Sequence, residues 1–271
     1  MDRDSQREVR MQYMFPYQLH EELTCLPLIF LPLATLEWHG PHLAVGMDPI
    51  SAEQVAVALA KRIGGVVFPT LYMGTERERS AEVLESLGFG NDEYIIGMDF
   101  PDAEGMFKSF YFSEELFALA VRGHIELFIE HGYKYVYIVN GHGAVNHNEV
   151  LRRLCIEFSN KVRGISVDFS VTFPKDLVAV GAIGHADKEE TSLMMYYNQD
   201  LVDLDRLPPK RDKLRYKDYS VVDGGGFIGD PGEDHAVPHE MDPRHMSSVE
   251  RGRKLFEKTL DELEEHIRQK L

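Results

Sequence analysis

What most limits how this chain can fold is a series of short apolar runs, each followed by a segment with helical spacing. Residues 26–36 are apolar with few breaks, and residues 66–72, 135–139 and 165–173 are rich in Val, Ile, Tyr and Phe, the pattern of buried strands. Between them lie helical signals. Residues 50–63 open with Pro49 and a Ser51-x-x-Gln54 capping pattern, and residues 113–131 place Leu116, Ala120, Gly123 and Leu127 on one face before Gly132. A third helix is expected over 147–161, and a fourth begins near Lys188. A fifth covers 248–271, with Leu255, Leu260, Leu263, Ile267 and Leu271 at helical spacing. Strands alternating with helices pair in parallel through right-handed crossovers. The expected fold class is therefore α/β: one three-layer α/β/α domain over residues 1–271 around a mostly parallel sheet. Two stretches, 76–106 and 208–247, break the alternation and read as loop insertions over a site or at a subunit interface.

Composition narrows the function classes. With 44% hydrophobic residues in 271, the chain can bury a large core. It has no apolar run of about 18 residues, and residues 1–10 are charged rather than signal-like, so a soluble, cytoplasmic protein is expected. Cys25 and Cys155 form neither a disulfide framework nor a Cys-x-x-Cys pair and read as buried fillers. A net charge of -16, with no local basic cluster to offset it, argues against nucleic acid and membrane partners. The expected partner is a small-molecule substrate.

The chemistry-bearing residues gather at the ends of the expected strands, which is where parallel sheets place their sites. Glu37-Trp38-His39-Gly40-Pro41-His42, then Gly46-Met47-Asp48, follows the first strand. On extended backbone, residues two apart point the same way, so Glu37 and His39 can converge on one ion, and a short loop can return Asp48 to it. Such mixed oxygen and nitrogen donors suit Zn or Mn. Asn140-Gly141-His142-Gly143-Ala144-Val145-Asn146 follows the strand at 135–139, with small residues that permit close approach to His142. Gly184-His185-Ala186-Asp187-Lys188-Glu189-Glu190-Thr191-Ser192 lies at a loop-to-helix junction. Each residue also has a plainer reading. Asp48 and Asn146 could be helix caps, and Glu190 could be half of a capping arrangement with Asp187. Trp38 either walls the pocket or packs behind the strand. The remaining histidines, His147 among them, read as surface or loop residues. The Gly224 to Gly226 run reads as a flexible turn.

Taken together, these motifs resemble those of the creatininase family. The matches are Glu37-x-His39-Gly40-Pro41-His42-Leu43-x-x-Gly46-x-Asp48, Asn140-Gly141-His142-Gly143-x-x-Asn146, His185-Ala186-x-x-x-Glu190-Thr191-Ser192, and Gly229-Asp230-Pro231 with a later Glu250-x-Gly252. The resemblance implies two divalent metal ions, Zn and/or Mn, on an α/β fold, commonly in homohexamers. By motif, Glu37 and His142 would bind one metal, His39 and a further carboxylate the other, with Asp48 bridging. Creatininase itself places a Glu two residues beyond the histidine equivalent to His142; here Ala144 stands there, and Glu190 is the substitute. His185 would be the catalytic histidine, assisted by Glu189, with Trp38, His42 and Asn146 near substrate. Creatininase also packs its substrate with tryptophans downstream of the central motif. None occurs after Trp38, which argues against creatinine.

The resulting expectation is hydrolysis of a small cyclic amide or formamide-like substrate by metal-activated water. A second reading keeps the metals and opens a carbon-carbon bond in an oxidised cyclitol or sugar diketone. It rests on the missing aromatic clamps and the polar character of the two insertions. A third is a non-catalytic metal-binding oligomeric scaffold, which should lack a ligand or catalytic residue.

Overall fold

The computed structural model describes residues 7–90, 92–179, 181 and 183–271, so most of the charged amino end, residues 1–6, lies outside the described residues. After helix α1 (Pro16–Cys25), strand β1 (Leu28–Ala34) is buried along its whole length. Its side chains alternate between two apolar cores: Leu28 and Phe30 enter one, and Ile29, Leu31 and Leu33 the other. That two-sided burial explains the unbroken apolar run. The expected strand at 66–72 is two short pieces, β2 (Val66–Val67) and β3 (Leu71–Tyr72). Pro69, which has no N–H for a ladder bond, lies between them. With β4 (Tyr135–Asn140) and β5 (Ser166–Val171), the order is β2-β1-β4-β5, β3 also pairing with β1, and every pairing is parallel.

Helices cover both faces. α2 (Met47–Ile63), α7 (Lys188–Tyr197) and α11 (Val249–Arg268) pack on one side, and α4 (Glu114–Glu130) and α5 (Val145–Lys161) on the other. α2 begins three residues before its expected start, with Asp48 and Pro49 inside the first turn, where the missing proline N–H leaves no bond unmade. The insertions hold local structure: α3 (Ala81–Ser86) in the first, and α8 (Tyr216–Tyr219), α9 (Gly224–Phe227) and α10 (Pro243–Met246) in the second. The glycine run expected as a flexible turn is the helical turn α9, capped by Asp223, whose side chain accepts the Gly225 N–H. The short helix α6 (Lys175–Ala179) follows β5. Among the described residues no helix is long and apolar enough to cross a membrane.

Two expectations are corrected. Cys25 is exposed at the end of α1, and only Cys155 is buried. In α4 the buried stripe is Phe117, Val121, Ile125 and Phe128, whereas Leu116 and Leu127 are 48% and 53% exposed. Both stripes have helical spacing, so periodicity alone could not rank them. Two phenylalanines bury more apolar area than the leucine stripe offers, and they face the sheet.

β1 and β4 run in register, with Leu33 opposite Asn140, so the segments after them leave the same sheet edge side by side. Gly141 makes this approach tight: a Cβ there would lie 2.1 Å from the Asp48 carbonyl oxygen. The corrected α4 face is testable by chemical denaturation. Phe117→Ala should cost about 3–5 kcal/mol, whereas Leu116→Ala should stay within about 0.5 kcal/mol. The reverse ranking would refute the assignment.

Candidate metal centre

Five ionisable side chains from three regions of sequence meet at the carboxyl edge of the sheet. Glu37 and His39 follow β1, His142 follows β4, Asp48 sits in the first turn of α2 and Glu190 in the first turn of α7; all are buried. Gly40, at φ +67°, turns the chain after His39. His142 Nδ1 lies 3.2 Å from Glu37 Oε2 and 3.2 Å from Asp48 Oδ2. His39 Nε2 lies 3.0 Å from Asp48 Oδ1 and 3.6 Å from Glu190 Oε2. Asp48 thus turns one oxygen toward each histidine. Glu37, Asp48 and His142 form one group able to hold a cation, and His39, Asp48 and Glu190 another; within each the donor atoms lie within 4.8 Å of one another.

Hydrogen bonds behind the donors fix which atoms face inward. His39 Nδ1 donates to the Glu37 carbonyl oxygen at 3.0 Å, and His142 Nε2 donates to the Thr75 carbonyl oxygen at 3.3 Å. A carbonyl only accepts, so these nitrogens carry hydrogens, and His39 Nε2 and His142 Nδ1 are the ring atoms that face the carboxylates. The Tyr111 hydroxyl donates to Glu37 Oε1. Glu190 Oε2 accepts the Ala186 N–H at 2.5 Å, from a residue held at φ +53°.

The capping alternatives resolve at the same level. Asp187 caps α7, accepting the Glu189 and Glu190 N–H groups, which leaves the Glu190 carboxylate for Ala186 and His39. Asp48 and Asn146 lie inside their helices, whose N-caps are Gly46 and Ala144.

Burial opposes every charge here, and only mutual pairing sustains them. Burial disfavours an imidazolium at His39, yet the Asp48 and Glu190 carboxylates outweigh it and raise its pKa to about 10. His142 is likewise raised well above its usual range against burial, by Glu37 and Asp48. Glu37 is held well below the carboxylate range despite burial, through His142, His185 and His39. Burial lifts Glu190 to about 8 even with His39 opposing.

The other expected site residues are placed unevenly. His185 packs against His39 at a tilt, ring centroids 4.2 Å apart, and its Nε2 donates to the Trp38 carbonyl oxygen at 2.6 Å; burial and the neighbouring His39 lower its pKa to about 3. It lines a cavity of about 510 Å³ together with Glu37, Asp48, His142 and Glu190. Trp38, His42, Asn146 and Glu189 do not line that cavity. Trp38 is packed in the core behind β1's exit, and His42 bonds the Thr191 hydroxyl. Asn146 donates to Glu114, and Glu189 pairs with Arg251 at 3.1 Å.

Both insertions contribute to the cavity, the first through Glu76, Arg79, Val83 and Met98, the second through Gly224, Phe227 and Ile228. Sequence reasoning missed Tyr111, Thr75, Arg79 and His147. His147 is fully buried between Phe117 and His142, with ring centroids at 4.3 and 5.0 Å, rather than a surface residue. Its position five residues after His142, in the first turn of α5, was a usable signal. Nothing in the local spacing marked Tyr111.

Known proteins share this arrangement at the level of family and fold. The family described as Creatininase, creatinine amidohydrolase, matches residues 14–267. Creatinine amidohydrolase of Pseudomonas putida is 26% identical over 262 residues, 89% of each chain. A crystal structure of creatinine amidohydrolase (creatininase) superposes with a TM-score of 0.67 at 19% identity, covering 97% of this chain and 98% of that one. A structure described as creatininase Mn gives 0.66 at 20% identity, covering 97% and 99%. Because the match runs through every strand and through all three segments that meet around Asp48, the chain belongs to the creatininase family of hydrolases.

Proposed function

We propose that this chain is a two-ion hydrolase that directs water onto a carbonyl of a small cyclic amide or formamide-like substrate. The observation that carries the reading is the sharing of Asp48 between two donor groups, one oxygen toward each histidine. The residues fit a pair of cations. His39 Nε2 and Asp48 Oδ1 are both buried and 3.0 Å apart, with Glu190 Oε2 3.6 Å away, a cluster of nitrogen and oxygen atoms facing one small space as ligands of a common ion do. Nitrogen and carboxylate donors suit Zn or Mn, and one of the similar structures is a manganese creatininase. Bound there, two divalent ions would make water nucleophilic near neutral pH and polarise the substrate carbonyl.

The chain's own residues supply the rest. His185 keeps its proton on Nε2, bonded to Trp38, so Nδ1 is the atom available to take a proton and pass it to the leaving nitrogen. Glu190 offers a carboxylate beside His39 where the family pattern has lost one at Ala144, which supports a catalytic site over a non-catalytic scaffold. Met98, Phe173, Ile183, Phe227 and Ile228 give the cavity an apolar wall suited to a ring face. The insertions, whose polar composition suggested a cyclitol, turn Val83, Met98, Phe227 and Ile228 toward the cavity, and among the described residues they add just Glu76 and Arg79 as charged groups.

Elemental analysis of protein purified without chelator should find two Zn or Mn ions per chain. His142→Ala should empty the Glu37 group and lower activity more than about 100-fold. Across a panel of lactams, formamides and inosose-type diketones, turnover of the diketones alone would overturn the proposed bond.

Metal-free protein should lose stability as pH rises from about 6.5 to about 10. The folded pKa of His39 lies at about 10 against an ordinary 6.5, so its contribution is complete below 6.5 and is lost through that window. Glu190, raised from 4.5 to about 8, acts in the same direction. Urea melts in chelator would check this; a flat or rising profile would contradict it. We further propose a homo-oligomer that covers the exposed Leu116, Leu119 and Leu127 of α4. Sedimentation should show a species larger than one chain, and a monomer would exclude it.

A further inference from the structure

Residues 109–112 run beside the exit of β1 and are tightly seated there. Phe110 N–H donates to the Leu36 carbonyl oxygen at 2.9 Å, the Thr35 hydroxyl to the Phe110 carbonyl oxygen at 2.6 Å, and Trp38 N–H to the Ser109 hydroxyl at 3.0 Å. This seating brings the Tyr111 phenol, itself outside the cavity lining, against Glu37. The hydroxyl donates to Glu37 Oε1 and accepts the Met98 N–H at 3.1 Å. Gly97 makes room for it: a Cβ there would lie 2.3 Å from the Tyr111 oxygen, and its φ is +58°. With Oε1 occupied, Glu37 presents Oε2 alone to His142 Nδ1, at 3.2 Å.

We propose that Tyr111 is a positioning residue for Glu37: its hydroxyl holds one carboxylate oxygen so that the other serves the ion shared with Asp48 and His142, and it ties that ion to the Met98 wall of the cavity. The inference rests on the two-ion reading. A carboxylate with both oxygens free can rotate between one-atom and two-atom ligation, and a donor behind it removes that freedom. Because the same phenol oxygen accepts from Met98, a cavity residue, displacement of that wall would be transmitted through Glu37 first to the ion of the Glu37, Asp48 and His142 group. Among the described residues His39 and Glu190 make no hydrogen bond with Tyr111 and are held instead by the Glu37 carbonyl and Ala186 N–H.

The test is titration of Co²⁺ into chelator-stripped full-length protein, followed by calorimetry and by the visible spectrum of the bound ion. Tyr111→Phe keeps the ring and should weaken one of the two binding steps about 10- to 100-fold while leaving the other unchanged. Gly97→Ala, which displaces the phenol without deleting a polar atom, should weaken the same step. Unchanged binding in Tyr111→Phe would overturn the proposal, and so would equal weakening of both steps, the mark of a merely structural role. Fewer than two Co²⁺ ions in the unsubstituted protein would instead overturn the two-ion reading, and the proposal with it.

Discussion

The site depends on one carboxylate standing between two imidazoles. Asp48 faces His39 with one oxygen and His142 with the other, and the three residues come from the exit of β1, the first turn of α2 and the exit of β4. Three carboxylates and two imidazoles packed this closely, all buried, cannot hold their charges independently. Their shifted pKa values express that frustration: two histidines raised, one carboxyl held low and another raised. Multivalent cations resolve such a cluster by taking the space between donors that otherwise share protons.

The fold serves this arrangement through the sheet. β1 and β4 are neighbours in register, so two loops distant in sequence emerge side by side, and Gly141 lets one lie directly on the backbone of Asp48. α7, in the same helical layer as α2, brings Glu190, with Asp187 as its cap, so the helix dipole and the capping carboxylate are organised separately from the donor. The insertions add walls and supports rather than donors.

Much of this was legible because it is local. Continuous apolar runs disclose strands buried on both faces, and Glu37, His39, Asp48, His142 and Glu190 all stand at strand ends or helix starts, where spacing has geometric meaning. What was not legible depends on three-dimensional choice. Two stripes of α4 share one period, and only the sheet they pack on decides between Phe117 and Leu116. Trp38, His42 and Asn146 sit inside the motifs, yet the Trp38 side chain is packed in the core and those of His42 and Asn146 turn to Thr191 and Glu114, because a motif fixes backbone proximity and not side-chain direction. Tyr111 reaches Glu37 across 74 positions of sequence, a distance no local pattern spans.

Ala144 leaves its mark on the shape of the cavity. It lines that space, whereas the carboxylate completing the His39 group comes from α7. An alanine side chain ends at Cβ, so the volume that a glutamate carboxylate would fill at this position stays part of the open cavity.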